Sequence, residues 1–428
     1  MLDRILTTKI QHAVDAQFDE QIAFICELVK FPSVRGAEQT AQDFVAKSLR
    51  QRGYAVDMWD MHVDELKHLP GFSPVTVSYD NALNVVGSHR PKKSHGHSLI
   101  LNGHMDVVPV GPLNMWTTPP FFPRVENGWL YGRGSGDMKA GIAANIFAIE
   151  ALKRCGFAPA ADVHIQSVIE EECTGNGALA CLQRGYRADA ALIPEPWNNQ
   201  LGRAQVGVLW LQVHVLGKPV HVREAGRGAN AIESAYGLMQ ALHSLEEEWN
   251  SHCREDKHYR HIHHPLNFNV GKIAGGDWAS SVPSWCTFDA RIGVPPTKDL
   301  DEARKEIEAC LANAARNHKF LSKYPPKVTY PGLAATGFVL KNADEAEGIL
   351  KRAHRAAFDG MELQEVISTA TTDARIFDIY GKIPALVYGP LAEDIHGFDE
   401  RVELDSVRRV TQAIALFVAE WCGLEVMK

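Results

Sequence analysis

Apolar and polar residues follow two successive patterns along the chain. In the first half, segments with apolar residues at helical spacing, such as 37–52 and 138–156, alternate with short segments typical of strands, such as 97–106 and 161–169. Strands that alternate with helices predict an α/β domain with a largely parallel sheet. In such sheets the ligand site lies beyond the carboxyl ends of the strands.

The pattern changes at about residue 204 and returns at about residue 333. Between them lie predicted strands and helices in the order β-α-β-β-α-β, at 206–217, 230–249, 267–276, 284–294, 300–317 and 327–332. This order predicts a small α+β domain inserted into the first domain. We therefore predict one domain from residues 1–203 and 333–428, and a second domain from residues 204–332.

Composition narrows the class of protein. The 428 residues carry a formal net charge of −8 without a basic tract, which argues against nucleic acid as a partner. No run of 18 uncharged apolar residues predicts a membrane-spanning helix, and the charged start of the chain is not typical of a secretory signal. Eight scattered cysteines without a CxxC pair indicate reduced thiols and a cytoplasmic location. The irregular histidine tract at 252–264 is typical of a solvated loop.

Five short segments place histidines and carboxylates where predicted strands end or a helix begins. They are NGHMD with His104 and Asp106, GRGSGDMKAG with Asp137, VIEEECTG with Glu170, Glu171 and Glu172, LIPEP with Glu195, and DIHGFDE with His396. Each is ordinary alone, since an aspartate before a helix can be an N-cap. Together they predict one cluster at one edge of the sheet.

The cluster has the chemistry of a pair of divalent metal ions. Zinc and its neighbours take imidazole nitrogen and carboxylate oxygen, and a carboxylate can bridge two ions. A spare glutamate can take a proton from water, and Asp106 can accept the free ring N–H of His104. We therefore expect cations to compensate the three consecutive glutamates.

These motifs, in this order, resemble the aminoacylase / acetylornithine deacetylase / succinyl-diaminopimelate desuccinylase / carboxypeptidase G family of dinuclear zinc metallohydrolases. The likeness runs from about residue 20 to residue 425. It implies a zinc-peptidase-like catalytic domain with a mainly parallel central sheet, interrupted by an α+β lid that makes a homodimer. It also implies two divalent ions, zinc or else cobalt or manganese, and a small-molecule substrate.

The resemblance assigns roles to the clustered residues. Asp137 bridges the two ions, His104 and Glu195 complete the first ligand set, and His396 and Glu172 complete the second. Glu171 is then the base and Asp106 orients His104. A slip of one residue, with Glu170 as base and Glu171 as ligand, stays open because the usual first glycine of the turn is displaced to Gly175.

In the lid, the resemblance implies three further residues. His221 of GKPVHV stabilises the oxyanion in the partner subunit's site. Asn230 and Arg291 match positions that touch substrate, although Arg291 can equally form a salt bridge inside the lid. Asp373 and Arg375 of TTDARIF are expected to be structural, with ligand contact as the alternative. Trp116, Trp197 and Trp278 can line an apolar acyl or aromatic site, but we expect core packing for each.

We predict hydrolysis of a C–N bond, in an N-acyl amino acid or a similar small N-acyl compound, by a metal-bridged hydroxide. A dipeptidase or carboxypeptidase, or a hydrolase of a C–N bond in a pyrimidine or aromatic amine, remains an alternative. The glycines at 132, 134 and 136 suggest a phosphate loop, but they lack the GxGxxG spacing, and Asp137 places a negative charge where a phosphate would bind. A binding protein without activity is disfavoured, since every ligand and a base are present.

Overall fold

The computed structural model describes residues 2–427. Its α-helices are α1 (Arg4–Ala16), α2 (Phe18–Val29), α3 (Gln39–Gln51), α4 (Val63–Leu66), α5 (Ala140–Arg154), α6 (Asn176–Gln183), α7 (Ala231–Cys253), α8 (Leu300–Arg316), α9 (Asp344–Ala357) and α10 (Leu404–Trp421). No helix within these residues has the length and apolar character needed to cross a membrane.

The strands of the described residues follow in chain order. They are β1 (Ala55–Asp60), β2 (Leu83–His89), β3 (Leu99–His104), β4 (Arg124–Glu126), β5 (Trp129–Tyr131), β6 (Phe157–Pro159), β7 (Val163–Val168), β8 (Ala190–Ile193), β9 (Leu201–Gln205), β10 (Gly207–Leu216), β11 (Phe268–Gly275), β12 (Trp285–Val294), β13 (Lys327–Thr329), β14 (Ala334–Ala335), β15 (Phe338–Val339), β16 (Glu365–Ser368), β17 (Ala385–Val387), β18 (Ala392–Glu393), β19 (Arg401–Glu403) and β20 (Leu424–Val426).

A six-stranded sheet forms the centre of the first domain, in the order β1-β2-β7-β3-β8-β17. The four strands from β7 to β17 are parallel, whereas β2 is antiparallel to both of its neighbours. Every residue of β3, β7 and β8 is buried, because helices such as α5 and α6 pack against the sheet. These short runs without alternation are typical of strands covered on both faces. The carboxyl ends of the four parallel strands therefore meet at one edge.

The second sheet is antiparallel, in the order β11-β12-β10-β13, with β14 added to β10. Helices α7 and α8 pack on each other and α7 packs on the sheet, which gives a hydrophobic cluster distinct from that of the first domain. The element order β10-α7-β11-β12-α8-β13 confirms the predicted β-α-β-β-α-β unit. The domain bounds stay a prediction, and their outermost residues, Met1 and Lys428, lie outside the described residues.

Several helix bounds differ from the predicted ones by one to four residues, and two of these differences have a clear physical reason. Helix α5 begins at Ala140 rather than at residue 138, because Asp137 and Met138 have non-helical backbone angles. Helix α7 continues past the predicted end at Trp249 to Cys253. Both of these residues are buried, and their spacing of four residues places them on one face of the helix. The first histidine of the 252–264 tract is therefore helical rather than part of a loop.

Candidate metal centre

The predicted cluster lies where the parallel strands end. His104 is the last residue of β3, and the glutamate triplet follows β7 within two residues. Glu195 follows β8 by two residues, and Asp137 lies just before α5. His396 reaches the same place from the loop that follows β18. The topology of the sheet thus brings together segments nearly 300 residues apart.

Asp137 lies between the two histidines. Its Oδ1 atom is 3.0 Å from Nε2 of His104, and its Oδ2 atom is 3.3 Å from Nε2 of His396. The His104 side chain is buried, whereas 54% of the His396 side chain is exposed. One carboxylate thus directs an oxygen toward each imidazole, which is the arrangement that a bridging ligand requires.

Two glutamates lie beside the two histidines. Glu195 has an oxygen 3.8 Å from Nε2 of His104, and Glu172 has one 3.1 Å from Nε2 of His396. Glu171 is also close, with an oxygen 4.0 Å from Nε2 of His104. Each histidine therefore has its own carboxylate in addition to the shared Asp137.

Glu170, the first of the three consecutive glutamates, is held by a separate set of contacts. Its carboxylate accepts hydrogen bonds from Nη2 of Arg35 at 2.7 Å, from the hydroxyl of Tyr79 at 2.8 Å and from Oγ1 of Thr174 at 2.9 Å. The backbone of Glu170 is left-handed, with φ +67°, which turns the chain directly after Ile169. These partners occupy the Glu170 carboxylate, and the two glutamates that follow it reach the histidines.

Asp106 makes a contact that the sequence did not predict. Its carboxylate accepts the backbone N–H groups of Glu171 at 3.4 Å and of Glu172 at 3.1 Å. Nδ1 of His104 bonds to the backbone carbonyl of Asp106 at 2.9 Å, while the nearer carboxylate oxygen is 3.6 Å away. Asp106 thus orients the imidazole through its main chain and the glutamate turn through its side chain.

The charges of the cluster need compensation. Burial raises the pKa of Glu171 and of Glu195, and negative neighbours raise them further. Burial opposes a charged His396, but hydrogen bonds to Asp137 and Glu172 outweigh it and raise the pKa of His396 to about 11. Protons on the histidines are one way to balance so many carboxylates, and divalent cations are another.

The donor set fits a metal ion. Ligand atoms of His104, Glu171 and Glu195 lie within 4.8 Å of one another, as do those of His104, Asp137 and Glu172. Imidazole nitrogen and carboxylate oxygen are the donors that zinc and its neighbours accept. The residues present can therefore hold divalent ions without rearrangement of the sheet.

Within one chain, the three predicted lid residues do not belong to the cluster of metal-ligand candidates. Nδ1 of His221 accepts the N–H of Arg223 at 3.2 Å, and Asn230 caps α7 by accepting the N–H of Ile232 at 3.0 Å. Within residues 2–427, no hydrogen bond or ion pair links either of them to the metal-ligand candidates. Asn230 lines a cleft of about 580 Å³ together with Val222.

Arg291 joins the lid to the first domain. It donates to the backbone carbonyl of Asn267 in the lid at 3.0 Å and to that of Thr369 at 3.1 Å. Burial lowers the pKa of its guanidinium. Its observed bonds are thus to main-chain carbonyls, and within the described residues it forms no salt bridge inside the lid.

The expectation of core packing holds for Trp116, which is 8% exposed, and fails for Trp278, which is 74% exposed and lines the same cleft as Asn230. Trp197 packs against Gly202. The prediction fails for Trp278 because this residue lies in a loop after the edge strand β11, where no further strand of the sheet covers it.

The structure explains the displaced glycine. Gly175 has φ +73°, and a Cβ atom there would lie 2.2 Å from Nη2 of Arg375 and 3.2 Å from Oδ1 of Asp373. Both of these side chains are buried, and Arg375 donates to the carbonyl of Thr174 at 3.0 Å. Asp373 and Arg375 therefore lie beside the glutamate turn, and their structural role stays a prediction.

A cluster of two histidines and four carboxylates, on an α/β sheet with an inserted α+β unit, is the donor set of a metal-dependent hydrolase. The chain belongs to the peptidase family M20/M25/M40, whose model matches residues 100–420. The resemblance found in the sequence is confirmed at the level of this family. An acetylornithine deacetylase or another named branch is not established.

Two curated relatives cover nearly the whole chain. An N-formyl-4-amino-5-aminomethyl-2-methylpyrimidine deformylase of Halalkalibacterium halodurans is 29% identical, over 96% of this chain and 96% of that protein. The deformylase of the same name from Bacillus subtilis is 26% identical, over 97% of each chain. The predicted metallohydrolase of C–N bonds is confirmed by the family and by these relatives.

The fold also matches solved structures. The di-peptidase Dug1p from Saccharomyces cerevisiae superposes with a TM-score of 0.78 at 16% identity, over 97% of this chain and 98% of that one. At this identity the likeness concerns the fold alone. It confirms the predicted α/β architecture with an inserted lid.

Proposed function

We propose that the protein removes the formyl group from an N-formylated aminomethylpyrimidine, such as N-formyl-4-amino-5-aminomethyl-2-methylpyrimidine. This substrate corresponds to one alternative from the sequence analysis, a hydrolase of a C–N bond in a pyrimidine amine. The observation that carries the proposal is the complete donor cluster, present in a chain that is 29% identical to such a deformylase over 96% of both lengths. The reaction adds water across the amide and yields formate and a free amine.

In the proposed site, two zinc ions would bind, and each would be held by one of the two histidines. His104 and Glu195 would hold the first ion, His396 and Glu172 would hold the second, and Asp137 would bridge them. The distances of 3.0 and 3.3 Å from Asp137 to the two imidazoles support this division. When bound, such ions lower the pKa of a water molecule and polarise the carbonyl oxygen of the substrate.

Glu171 is the proposed general base and acid. It lies in the cluster but is the carboxylate left over when each histidine is paired with one glutamate and Asp137. Its carboxylate takes a proton from the attacking water and returns it to the amine nitrogen as the C–N bond breaks. Burial raises the pKa of Glu171, which makes its carboxylate a better proton acceptor than that of an exposed glutamate.

Asp106 fixes the positions of the proposed base, Glu171, and the proposed ligand, Glu172. Its carboxylate accepts the N–H groups of both Glu171 and Glu172, so the two residues are fixed relative to His104. With Glu170 bonded to Arg35 and Tyr79, these contacts support Glu171 as base and Glu172 as ligand.

We also propose a cytoplasmic homodimer that forms through the lid. Strand β11 is an edge strand, and its Ile273 is 57% exposed, while Tyr236 on α7 is 64% exposed. An open edge flanked by apolar side chains is typical of an interface. The pairing would bring His221 toward the partner's metal site to stabilise the oxyanion, with Asn230 and Arg291 nearby for substrate.

Amine release from the N-formyl aminopyrimidine tests the proposal. The panel also contains N-acetyl and N-succinyl amino acids and dipeptides, each with zinc, cobalt, manganese or a chelator. We expect turnover of the formyl pyrimidine that a chelator abolishes, and a loss of about 10²–10⁴-fold in kcat for Glu171→Gln with the metal content unchanged. Turnover of an N-acyl amino acid with none of the pyrimidine would reject the proposed substrate.

A further inference from the structure

The glycine loop before Asp137 binds an anion that belongs to the protein itself. The carboxylate of Glu400 accepts the backbone N–H of Gly134 at 2.9 Å, of Gly136 at 2.9 Å and of Asp137 at 3.0 Å. Glu400 is fully buried. The glycines that suggested a phosphate loop therefore do bind a negative group, a carboxylate supplied from the other end of the chain. Consecutive N–H groups of this kind form an anion-binding concavity.

Arg133 completes the arrangement. Its Nη1 atom is 2.6 Å from Oε2 of Glu400, and its Nη2 atom donates to the backbone carbonyl of Gly397 at 2.9 Å. The arginine is 2% exposed. Because Gly397 directly follows His396, the pair of Glu400 and Arg133 contacts the loops of two metal-ligand candidates at once.

The chain between these contacts is short. Three residues separate Glu400 from His396, and the backbone carbonyl of Glu400 also accepts the N–H of Gly132 at 2.9 Å. Both the main chain and the side chain of Glu400 are thus bonded to the loop that carries Asp137. These bonds join the segments of Asp137 and His396, which lie 259 positions apart, and the His396 side chain is itself half exposed.

A buried ion pair by itself adds little to the stability of a protein. The cost of removing two charges from water offsets most of their attraction, and apolar replacements are often as stable. Such a pair is better suited to holding groups in one geometry, and groups behind metal ligands commonly act in this way.

We propose that Glu400, together with Arg133, is a positioning residue that holds Asp137 and His396 at the separation needed to bind the second metal ion. The inference rests on the proposed two-ion site. It does not depend on the identity of the substrate, because it concerns metal binding.

Glu400→Ala with acetate rescue is the central experiment. The substitution removes the carboxylate and leaves the N–H groups and Arg133 facing a space that matches acetate. Zinc content after dialysis, and Co²⁺ affinity from the visible absorption, are measured with and without acetate. We expect the second ion to bind about 10–100-fold more weakly, and acetate to restore most of this loss, while the first ion remains.

Glu347→Ala is the matched control. Glu347 is also a buried glutamate paired with an arginine, since Nη1 and Nη2 of Arg203 lie 2.8 and 2.6 Å from its oxygens. Its loss should lower stability without changing the affinity for the second ion, and acetate should have no effect. A purely structural role of Glu400 would make the two variants behave alike.

If Glu400→Ala does not fold, Glu400→Gln and Arg133→Met provide the comparison of metal affinity without the acetate rescue. Folded variants that bind two ions with wild-type affinity would overturn the proposal, as would a failure of all three to fold. A wild-type protein that binds one ion or none would overturn both this inference and the two-ion site. Two bound ions without deformylation would reject only the proposed substrate.

Discussion

Glu170→Gln should damage the stability of the protein more than its chemistry. The substitution keeps the shape of the side chain and removes the charge that faces Arg35. In the structure, Glu170 is 2% exposed and accepts hydrogen bonds from Arg35, Tyr79 and Thr174. A glutamine can keep some of these bonds through its carbonyl oxygen, but its NH₂ group would face at least one donor.

The magnitude follows from the pair with Arg35. A hydrogen bond to a charged group contributes about 1.5–3 kcal/mol, and complete removal of one partner of a buried ion pair costs about 3–5 kcal/mol. The Arg35 side chain is 22% exposed, so water compensates part of its lost partner. We therefore expect a loss of about 2 kcal/mol for Glu170→Gln, toward the lower end of the hydrogen-bond range.

Urea unfolding and steady-state deformylation measure the two effects in the same samples. For Glu170→Gln we expect the loss of stability with kcat reduced by less than about tenfold, since the proposed base is untouched. For Glu171→Gln we expect a large loss of kcat without a loss of stability. The substitution removes the proposed base and also relieves the repulsion between carboxylates in the cluster. The double variant Arg35→Met/Glu170→Gln should lose less than the sum of its parts.

The opposite result would refute this reasoning. If Glu170→Gln abolished turnover at wild-type stability while Glu171→Gln stayed active, the base would be Glu170. The contacts of the glutamate turn would then have been assigned to the wrong function.

Three further predictions concern other parts of the molecule. Gly175→Ala should cost about 3 kcal/mol in urea unfolding, from about 1–2 kcal/mol of left-handed strain and the displaced hydrogen bond of Arg375; a loss below 1 kcal/mol would contradict the predicted clash. His354, bonded to the Tyr388 hydroxyl, has a pKa lowered by burial to about 4. Below about pH 6.5 His354 therefore takes up a proton in the unfolded chain but not in the folded chain. The free energy of unfolding of the wild type should fall by about 3 kcal/mol relative to that of His354→Gln between pH 7 and pH 4. Parallel curves of unfolding free energy against pH for the two proteins would exclude this. Ile273→Lys on the exposed edge strand should give a metal-loaded monomer without turnover in sedimentation and activity assays, and a fully active monomer would remove the role of the partner subunit.

Much of the candidate site was predictable because its candidate ligands lie directly after strands. The apolar run at 99–101 and the segment at 163–168 indicate strands, and His104, Glu172 and Glu195 follow strands within a few residues. A strand end and the side chains just beyond it are local features, and the rule that ligands bind at the carboxyl edge does not require coordinates.

Contacts between distant segments were not predictable in the same way. Glu400 lies in the same short segment as His396, yet its carboxylate is bonded to the loop that carries Asp137, 263 residues earlier. Arg35 donates a hydrogen bond to the carboxylate of Glu170, which lies 135 residues later in the chain. No periodicity relates these positions, since their proximity follows from the order of strands in the sheet and from which buried groups find partners.

The sequence by itself thus determined the class of chemistry, the ligand types and the order of the elements, because each depends on residue identity and on spacing over a few positions. The tertiary structure alone decided which glutamates reach the histidines, which carboxylate occupies the glycine loop and why position 175 must be glycine. Buried polar groups must find partners, and only the folded chain shows which partners lie within reach.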